Sequence, residues 1–212
     1  MTPLLHWGDA LLKLELLRPR GSVSDRAPAP AGPSELSANQ ALSFAGPGAE
    51  IALRGAVTHE MRKALEIWGA RIVERGAPWH PDPAVFEQTL GAELLDQLAE
   101  EPELIVGPAG EAEALLGAAA ALRKKWPAVR TVALVAADVE LPDLPRSPDL
   151  PAAVERVAVS KAQAAQARAR LGRELGLLAS HAGAAAADYA REHGGVALVT
   201  SAGEREFSLE GR

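Results

Sequence analysis

The second half of this chain alternates short apolar runs with helix-length segments, and that alternation limits the fold more than any other feature. Residues 104–106 (LIV), 131–136 (TVALVA), 154–159 (VERVAV) and 196–200 (VALVT) read as strands. Breakers and caps stand between them. Gly107-Pro108-Ala109-Gly110 is a turn ahead of a helix to about Lys125, which Trp126-Pro127 ends. Ser160 caps a helix to about Leu175, where Gly176 stops it, and a further helix runs from about Ala182 to Glu192. Short buried strands separated by helices of this length predict an α/β fold with a mainly parallel sheet.

The first half is more broken. Residues 11–17 (LLKLELL) predict a strand, ended by Pro19 and Gly21. The run 26–34 (RAPAPAGPS) is a linker, because its three prolines remove donors and fix φ. A short helix over 37–45 stops at Gly46-Pro47-Gly48, a strand follows at 51–53, and Thr58 caps a helix to about Trp68. A brief strand at 70–73 precedes a helix from Asp82 or Pro83 to about Glu100. The length suits one domain or two small lobes.

Composition narrows the chemistry. The chain has no cysteine, which excludes disulfides, thiolate metal sites and a cysteine nucleophile. Its net charge of −6 gives no general attraction to nucleic acid or anionic lipid. No apolar run reaches the roughly 18 residues a membrane span requires, and the first residues lack a basic leader, so a cytoplasmic protein is expected. Aromatic residues are only 4%, so the core must close through alanine and other small aliphatics. None of the five histidines shows HxxxH or HxH spacing, and no metal site is expected. Arg168, Arg170 and Arg173 read as a solvated helix face.

A series of motifs then runs along the chain. Thr2-Pro3-Leu4, Lys13-Leu14-Glu15 and Gly21-Ser22-Val23-Ser24-Asp25-Arg26 open it. Ser37-Ala38-Asn39-Gln40 and Gly69-Ala70-Arg71-Ile72-Val73 follow, then Gly107-Pro108-Ala109-Gly110-Glu111. The stretch 175–185 (LGLLASHAGAA) and Val199-Thr200-Ser201-Ala202-Gly203 close the series. In this order they resemble the fold-type II pyridoxal-phosphate enzymes, the group of cysteine synthase, threonine synthase and the serine/threonine dehydratases. The family patterns are TPL, KxE, GSxKDR, SGN, GAxV, GxGGT and GAA. The resemblance implies a reduced, two-lobed tryptophan synthase beta-like fold, with 1–36 and 103–212 in a larger lobe and 37–102 in a smaller, shortened one. It makes Asn39, Gly107, Gly110 and Thr200 the degenerate cofactor-contacting positions, and Ser37 and His181 candidates for the substrate side. At the closing turn Ser201 follows Thr200, so the register is open by one residue.

The departures from the pattern bear most on function. The family's Schiff-base lysine falls at Ser24, and a hydroxyl cannot form an imine. None of the five lysines, at 13, 63, 124, 125 and 161, is an evident replacement. In the phosphate loop Pro108 deletes one N–H donor, and Glu111 takes the threonine position. A glutamate there suits a helix with no anion beside it, because the carboxylate itself complements the dipole. The resemblance with these departures implies a non-catalytic pseudoenzyme with no expected cofactor, binding an amino-acid-like metabolite or a protein. The alternative is an active pyridoxal-phosphate lyase or β-replacement enzyme with a displaced lysine or a noncovalently held cofactor. The family's habit of pairing also implies a homodimer or association with an active paralogue.

Overall fold

The computed structural model describes residues 1–146 and 148–200. Within them the apolar strands of the second half pair into one sheet, of order β1-β2-β10-β7-β8-β9. Its strands are β1 (Leu4–Trp7), β2 (Ala10–Lys13), β7 (Leu104–Pro108), β8 (Arg130–Ala136), β9 (Glu155–Val159) and β10 (Gly195–Leu198). Every pairing is parallel except the β1–β2 hairpin. A second, wholly parallel sheet has the order β5-β4-β3-β6. It contains β3 (Ser34–Leu36), β4 (Glu50–Leu53), β5 (Arg71–Ile72) and β6 (Ala77–Pro78).

Alternation along the strands explains why helices cover both faces of the larger sheet. Leu104, Val106, Val132 and Leu134 point into one apolar layer, and Ile105, Ala133 and Val135 into the other. The first layer is closed by α6 (Lys161–Leu175) and α7 (His181–His193), through Ala164, Ala167, Leu171 and the alanines at 182, 184–187 and 190. The second is closed by α5 (Ala112–Lys125) and by a helix built of α3 (Pro83–Phe86), a π turn (Glu87–Gly91) and α4 (Ala92–Gln97). In the smaller sheet, α1 (Ala38–Phe44) and α2 (His59–Ile67) bury Leu42, Met61 and Leu65 against Leu36 and Ile51.

The caps fall where side-chain chemistry puts them. Ser37, Thr58, Asp82, Ser160 and Ser180 each accept a hydrogen bond from a backbone N–H in the first turn of their helices. Gly176 ends α6 at φ 67°, a left-handed conformation that glycine adopts without strain.

Several expectations change. The predicted strand over 11–17 stops at Lys13, and Glu15–Leu17 is a 3₁₀ turn, because Glu15 is drawn into a buried ion network with Arg26. Strands β1, β3 and β6 are too short to stand out in the sequence, and pairing with their neighbours makes them strands. The smaller sheet runs from 34 to 78, whereas the 83–97 helix, placed in the smaller lobe from sequence, packs on α5 through Phe86, Leu90 and Leu94. Arg168 is buried rather than solvated, and Arg170 pairs with Asp188 of α7 at 2.7 Å. Ser201, Ala202 and Gly203 of the closing motif lie outside the described residues.

The α3–α5 contact is tight enough to test. A Cβ at Gly117 of α5 would overlap the Pro83 carbonyl oxygen and lie 2.7 Å from Phe86 Cβ and 2.8 Å from Glu87 N. Backbone atoms cannot rotate away. Gly117→Ala should therefore destabilise the protein by about 1–3 kcal/mol, outweighing alanine's better helix propensity. Urea midpoints of the two proteins would measure this, and an unchanged or higher midpoint would contradict the packing.

Candidate functional site

The loop after β7 is where the fold brings the two sheets together. Pro108 ends the strand, Ala109–Glu111 form a 3₁₀ turn, and α5 begins at Ala112. The Gly110 N–H does not face open space. It donates to the backbone oxygen of Asp143 at 3.0 Å. A Cβ at Gly110 would sit 2.5 Å from Asp143 Cα, so only glycine permits this contact. Asp143 itself is left-handed, with φ 63°, a conformation aspartate adopts more readily than most residues. Its neighbours anchor the turn: Leu141 and Leu144 bridge each other and are buried, and the Ala136 N–H donates to the Pro145 oxygen at 3.0 Å.

Beside this contact lies a second buried acid. Glu111 is 3% exposed and Asp143 5%. The Ser22 hydroxyl donates to Glu111 Oε1 at 2.9 Å, and Ser22 Oγ in turn accepts from the Ser24 N–H at 3.0 Å. The Ser37 hydroxyl donates to Asp143 Oδ1 at 3.3 Å. Burial pushes the Glu111 carboxyl well above its ordinary value, and the neighbouring Asp143 pushes it further. Ser22 and Asn39 oppose the shift, although the buried Asn39 Nδ2 closes no hydrogen bond of normal geometry. Glu111 was expected to complement the α5 dipole as a charge. Its side chain instead makes no capping bond, and burial favours the neutral acid.

The other residues singled out from the sequence disperse. Ser24 is buried in the 3₁₀ turn Val23–Arg26, one residue beyond Val23 and two beyond the Ser22 that reaches the cradle. Gly107 lies within β7, packed between Leu198 and Leu115 rather than at the loop. Thr200 is buried, its Oγ1 has no hydrogen-bond partner, and its backbone oxygen accepts from the Ser180 hydroxyl at 3.1 Å. His181 is buried at the first residue of α7, and the cleft lining does not include it. Asp143 was missed. It stands in an unremarkable proline-rich loop, and only the tertiary contact gives it meaning.

A cleft of about 520 Å³ opens from Ser37 and Asp143 between the two sheets. Arg54 and His80 line it from the smaller-sheet side, and Glu113, Glu140 and Asp149 from the other. His80 Nδ1 lies 2.6 Å from Glu113 Oε1, and Arg54 reaches Gln40 Oε1 at 3.5 Å. Among the described residues no cluster of three or more metal-ligating side chains occurs. Lys63, Lys124, Lys125 and Lys161 are exposed and do not line the cleft.

The remaining lysine is locked away. Lys13 is 0% exposed, and its Nζ donates to Glu93 Oε2 at 2.8 Å, Gln97 Oε1 at 2.6 Å and the Thr2 oxygen at 2.8 Å. Arg26 forks onto Glu15, with contacts of 2.8 Å and 2.8 Å, and onto Glu93, with contacts of 3.0 Å and 2.8 Å. Burial lowers the Lys13 pKa, against the pull of Glu93. Burial alone would raise Glu93, but hydrogen bonds from Arg26 and Lys13 hold its carboxyl well below the usual range. Glu93→Ala strands two buried cations and should cost about 3–5 kcal/mol at neutral pH. A depressed carboxylate stabilises the fold above its unfolded value of 4.5 and loses that effect as pH falls below it. The gap between wild type and Glu93→Ala in denaturation should therefore narrow in acid, and a gap constant with pH would contradict the network.

The sequence matches no family model and no curated protein. Solved structures match it over nearly its whole length. A mutant of O-ureido-L-serine synthase bound to O-ureido-L-serine superposes with a TM-score of 0.81 at 20% identity, covering 99% of this chain and 91% of that one. A hydrogen sulfide-producing enzyme from Fusobacterium nucleatum gives 0.77 at 16% identity, covering 97% and 95%. An O-acetylserine-dependent cystathionine beta-synthase from Helicobacter pylori gives 0.75 at 18% identity, covering 98% and 94%. Together with the two parallel sheets and the order of the loops, these superpositions establish that the chain has the cysteine synthase-like fold of the fold-type II pyridoxal-phosphate enzymes, in a form shortened to 212 residues.

Proposed function

We propose that this protein is a non-catalytic relative of these enzymes, which keeps their scaffold and binds a small amino-acid-like molecule in the cleft without pyridoxal phosphate. The observation that carries this reading is the Asp143 turn. An anion-binding loop works by aiming free N–H groups and a helix N-terminus at a phosphate. Here Pro108 has no N–H, the Gly110 N–H is spent on Asp143, and two carboxyl groups stand beside the loop. A phosphate dianion would have to displace Asp143 and lie against Glu111. These residues do not fit the cofactor.

The lysines support the same reading. Schiff-base chemistry needs an unprotonated amine facing the cofactor's aldehyde. Position 24 offers a hydroxyl, Lys13 is held by three acceptors outside the cleft, and the other four are exposed elsewhere. The cleft lining suits a zwitterion better than an anion. Arg54 can receive a carboxylate, and Glu140 and Asp149 an ammonium group.

Titration of the purified protein with pyridoxal phosphate tests the proposal, read by visible imine absorbance and by retention after gel filtration. The wild type should bind substoichiometrically and without imine. Ser24→Lys should behave similarly, because an added amine does not rebuild the phosphate site and would pair with nearby carboxyls. Stoichiometric imine with amino-acid turnover in either protein would overturn this reading.

A further inference from the structure

The side chains around the cleft carry more negative than positive charge, and the excess lies on one wall. Arg54 and His80 line the smaller-sheet side, and Glu113, Glu140 and Asp149 the other. Some of this charge is already used within the chain. His80 Nδ1 lies 2.6 Å from Glu113 Oε1, so these two side chains answer each other. The Asp143 carboxyl, also in the lining, accepts from the Ser37 hydroxyl at 3.3 Å. A ligand therefore meets the Arg54 guanidinium on one side and the Glu140 and Asp149 carboxylates on the other.

The two walls are prepared for opposite charges. Arg54 is fixed through its backbone, whose N–H donates to the Leu36 oxygen at 2.8 Å just past the end of β4. Among the described residues its half-buried side chain makes a single hydrogen bond, 3.5 Å to Gln40 Oε1. That oxygen already accepts the Ser37 N–H at 2.9 Å, so Arg54 keeps most of its planar fork of donors for a ligand. The first turn of α1 offers an anion nothing comparable, because Ser37 and Gln40 close it as a capping box. Across the cleft, Glu140 Oε1 accepts the Arg146 N–H at 3.1 Å, which leaves Oε2 for a ligand, and Asp149 accepts no hydrogen bond among the described residues.

We propose that the cleft selects a basic amino acid: Arg54 takes the carboxylate, and Glu140 and Asp149 take the α-ammonium and a second cationic group on the ligand's side chain. The inference rests on the reading that this cleft binds an amino-acid-like molecule, and it names the chemical class. A neutral amino acid satisfies the guanidinium and one carboxylate and leaves the other to water. A diacid sets a second negative charge against Glu140 and Asp149, where like charges repel. A diamine without a carboxylate forfeits Arg54. Glu140 and Asp149 are exposed and partly hydrated, so each charge pair contributes about tenfold in affinity rather than several orders of magnitude.

Calorimetric titration of the full-length protein with ligands that drop one group at a time tests the assignment. L-Lysine and L-ornithine carry all the groups, L-norleucine lacks the side-chain ammonium, 1,5-diaminopentane lacks the carboxylate, and L-glutamate has a carboxylate in place of the second cation. The better of the two basic amino acids should bind about tenfold more tightly than norleucine or the diamine, and glutamate should not bind. Arg54→Ala should weaken the basic amino acid by about tenfold and leave the diamine as in wild type. Arg54→Lys, which keeps the charge and loses the fork, should shift affinity in the same direction and serves if Arg54→Ala does not fold. Glu140→Gln combined with Asp149→Asn, both at exposed positions, should bring the basic amino acid down to the affinity of norleucine. Glu101→Gln, ahead of β7 at the opposite end of the larger sheet, removes a carboxylate from the chain but not from the cleft and should change nothing. Norleucine binding as tightly as the basic amino acids, or a preference that survives the Glu140 and Asp149 replacements, overturns the basic-ligand assignment while the amino-acid reading stands. Absence of binding by every member of the series overturns both.

Discussion

The N-terminal hairpin, the two turns that follow it and the 83–97 helix are organised by one buried arrangement of charge, the Lys13–Glu93–Arg26–Glu15 network. An ammonium and a guanidinium placed inside a protein cost several kcal/mol each unless carboxylates and carbonyls surround them. Here they are surrounded: Lys13 projects from β2 and Arg26 from the Val23–Arg26 turn, and the acceptors come from the Glu15–Leu17 turn, α4 and the backbone of Thr2. Satisfying the cations therefore fixes how the β1–β2 hairpin, the turn carrying Ser22 and Ser24, and the 83–97 helix sit against one another. Because Ser22 is fixed, its hydroxyl meets Glu111, and the network's geometry is passed on to the cleft.

Packing supplies the rest of the frame. With so few aromatic side chains, the layers close by approach rather than by bulk. The alanines of α7 lie directly on the sheet, and Gly91 and Gly117 let the π-containing helix press into α5. Such contacts tolerate little added volume. They hold the β7–α5 loop rigidly from behind, while the turn in front of it hangs on a few hydrogen bonds and two leucines.

The electrostatics of the loop invert those of an anion site. Oriented N–H groups and a helix N-terminus would ordinarily invite negative charge. In this chain the Asp143 backbone oxygen accepts from the Gly110 N–H, and two buried carboxyl groups stand beside the loop, Glu111 held toward its neutral form. The Gly110 N–H already has its acceptor within the chain, and position 24, two residues from the serine that reaches Glu111, carries a hydroxyl.

The sequence alone determined the α/β class, most caps and breakers, and that position 24 carries a hydroxyl rather than an amine. Those depend on local chemistry: apolar periodicity, φ preferences, and which functional groups a side chain carries. It also showed that the loop after residue 107 has a proline without an N–H at 108 and a carboxyl group at 111. Only the tertiary structure decided what fills it. Asp143 belongs to a loop with no local signal, and it matters because the chain's path sets it against Gly110 and beside Glu111, 32 residues earlier in the sequence. The same holds for Glu93, one carboxylate among several on its helix, which becomes indispensable when two cations are buried around it. The charge state of Glu111 was misjudged for this reason. Position at a helix N-terminus favours an ionised carboxylate, but burial, which no sequence window records, favours the acid, and in this fold burial is the larger effect.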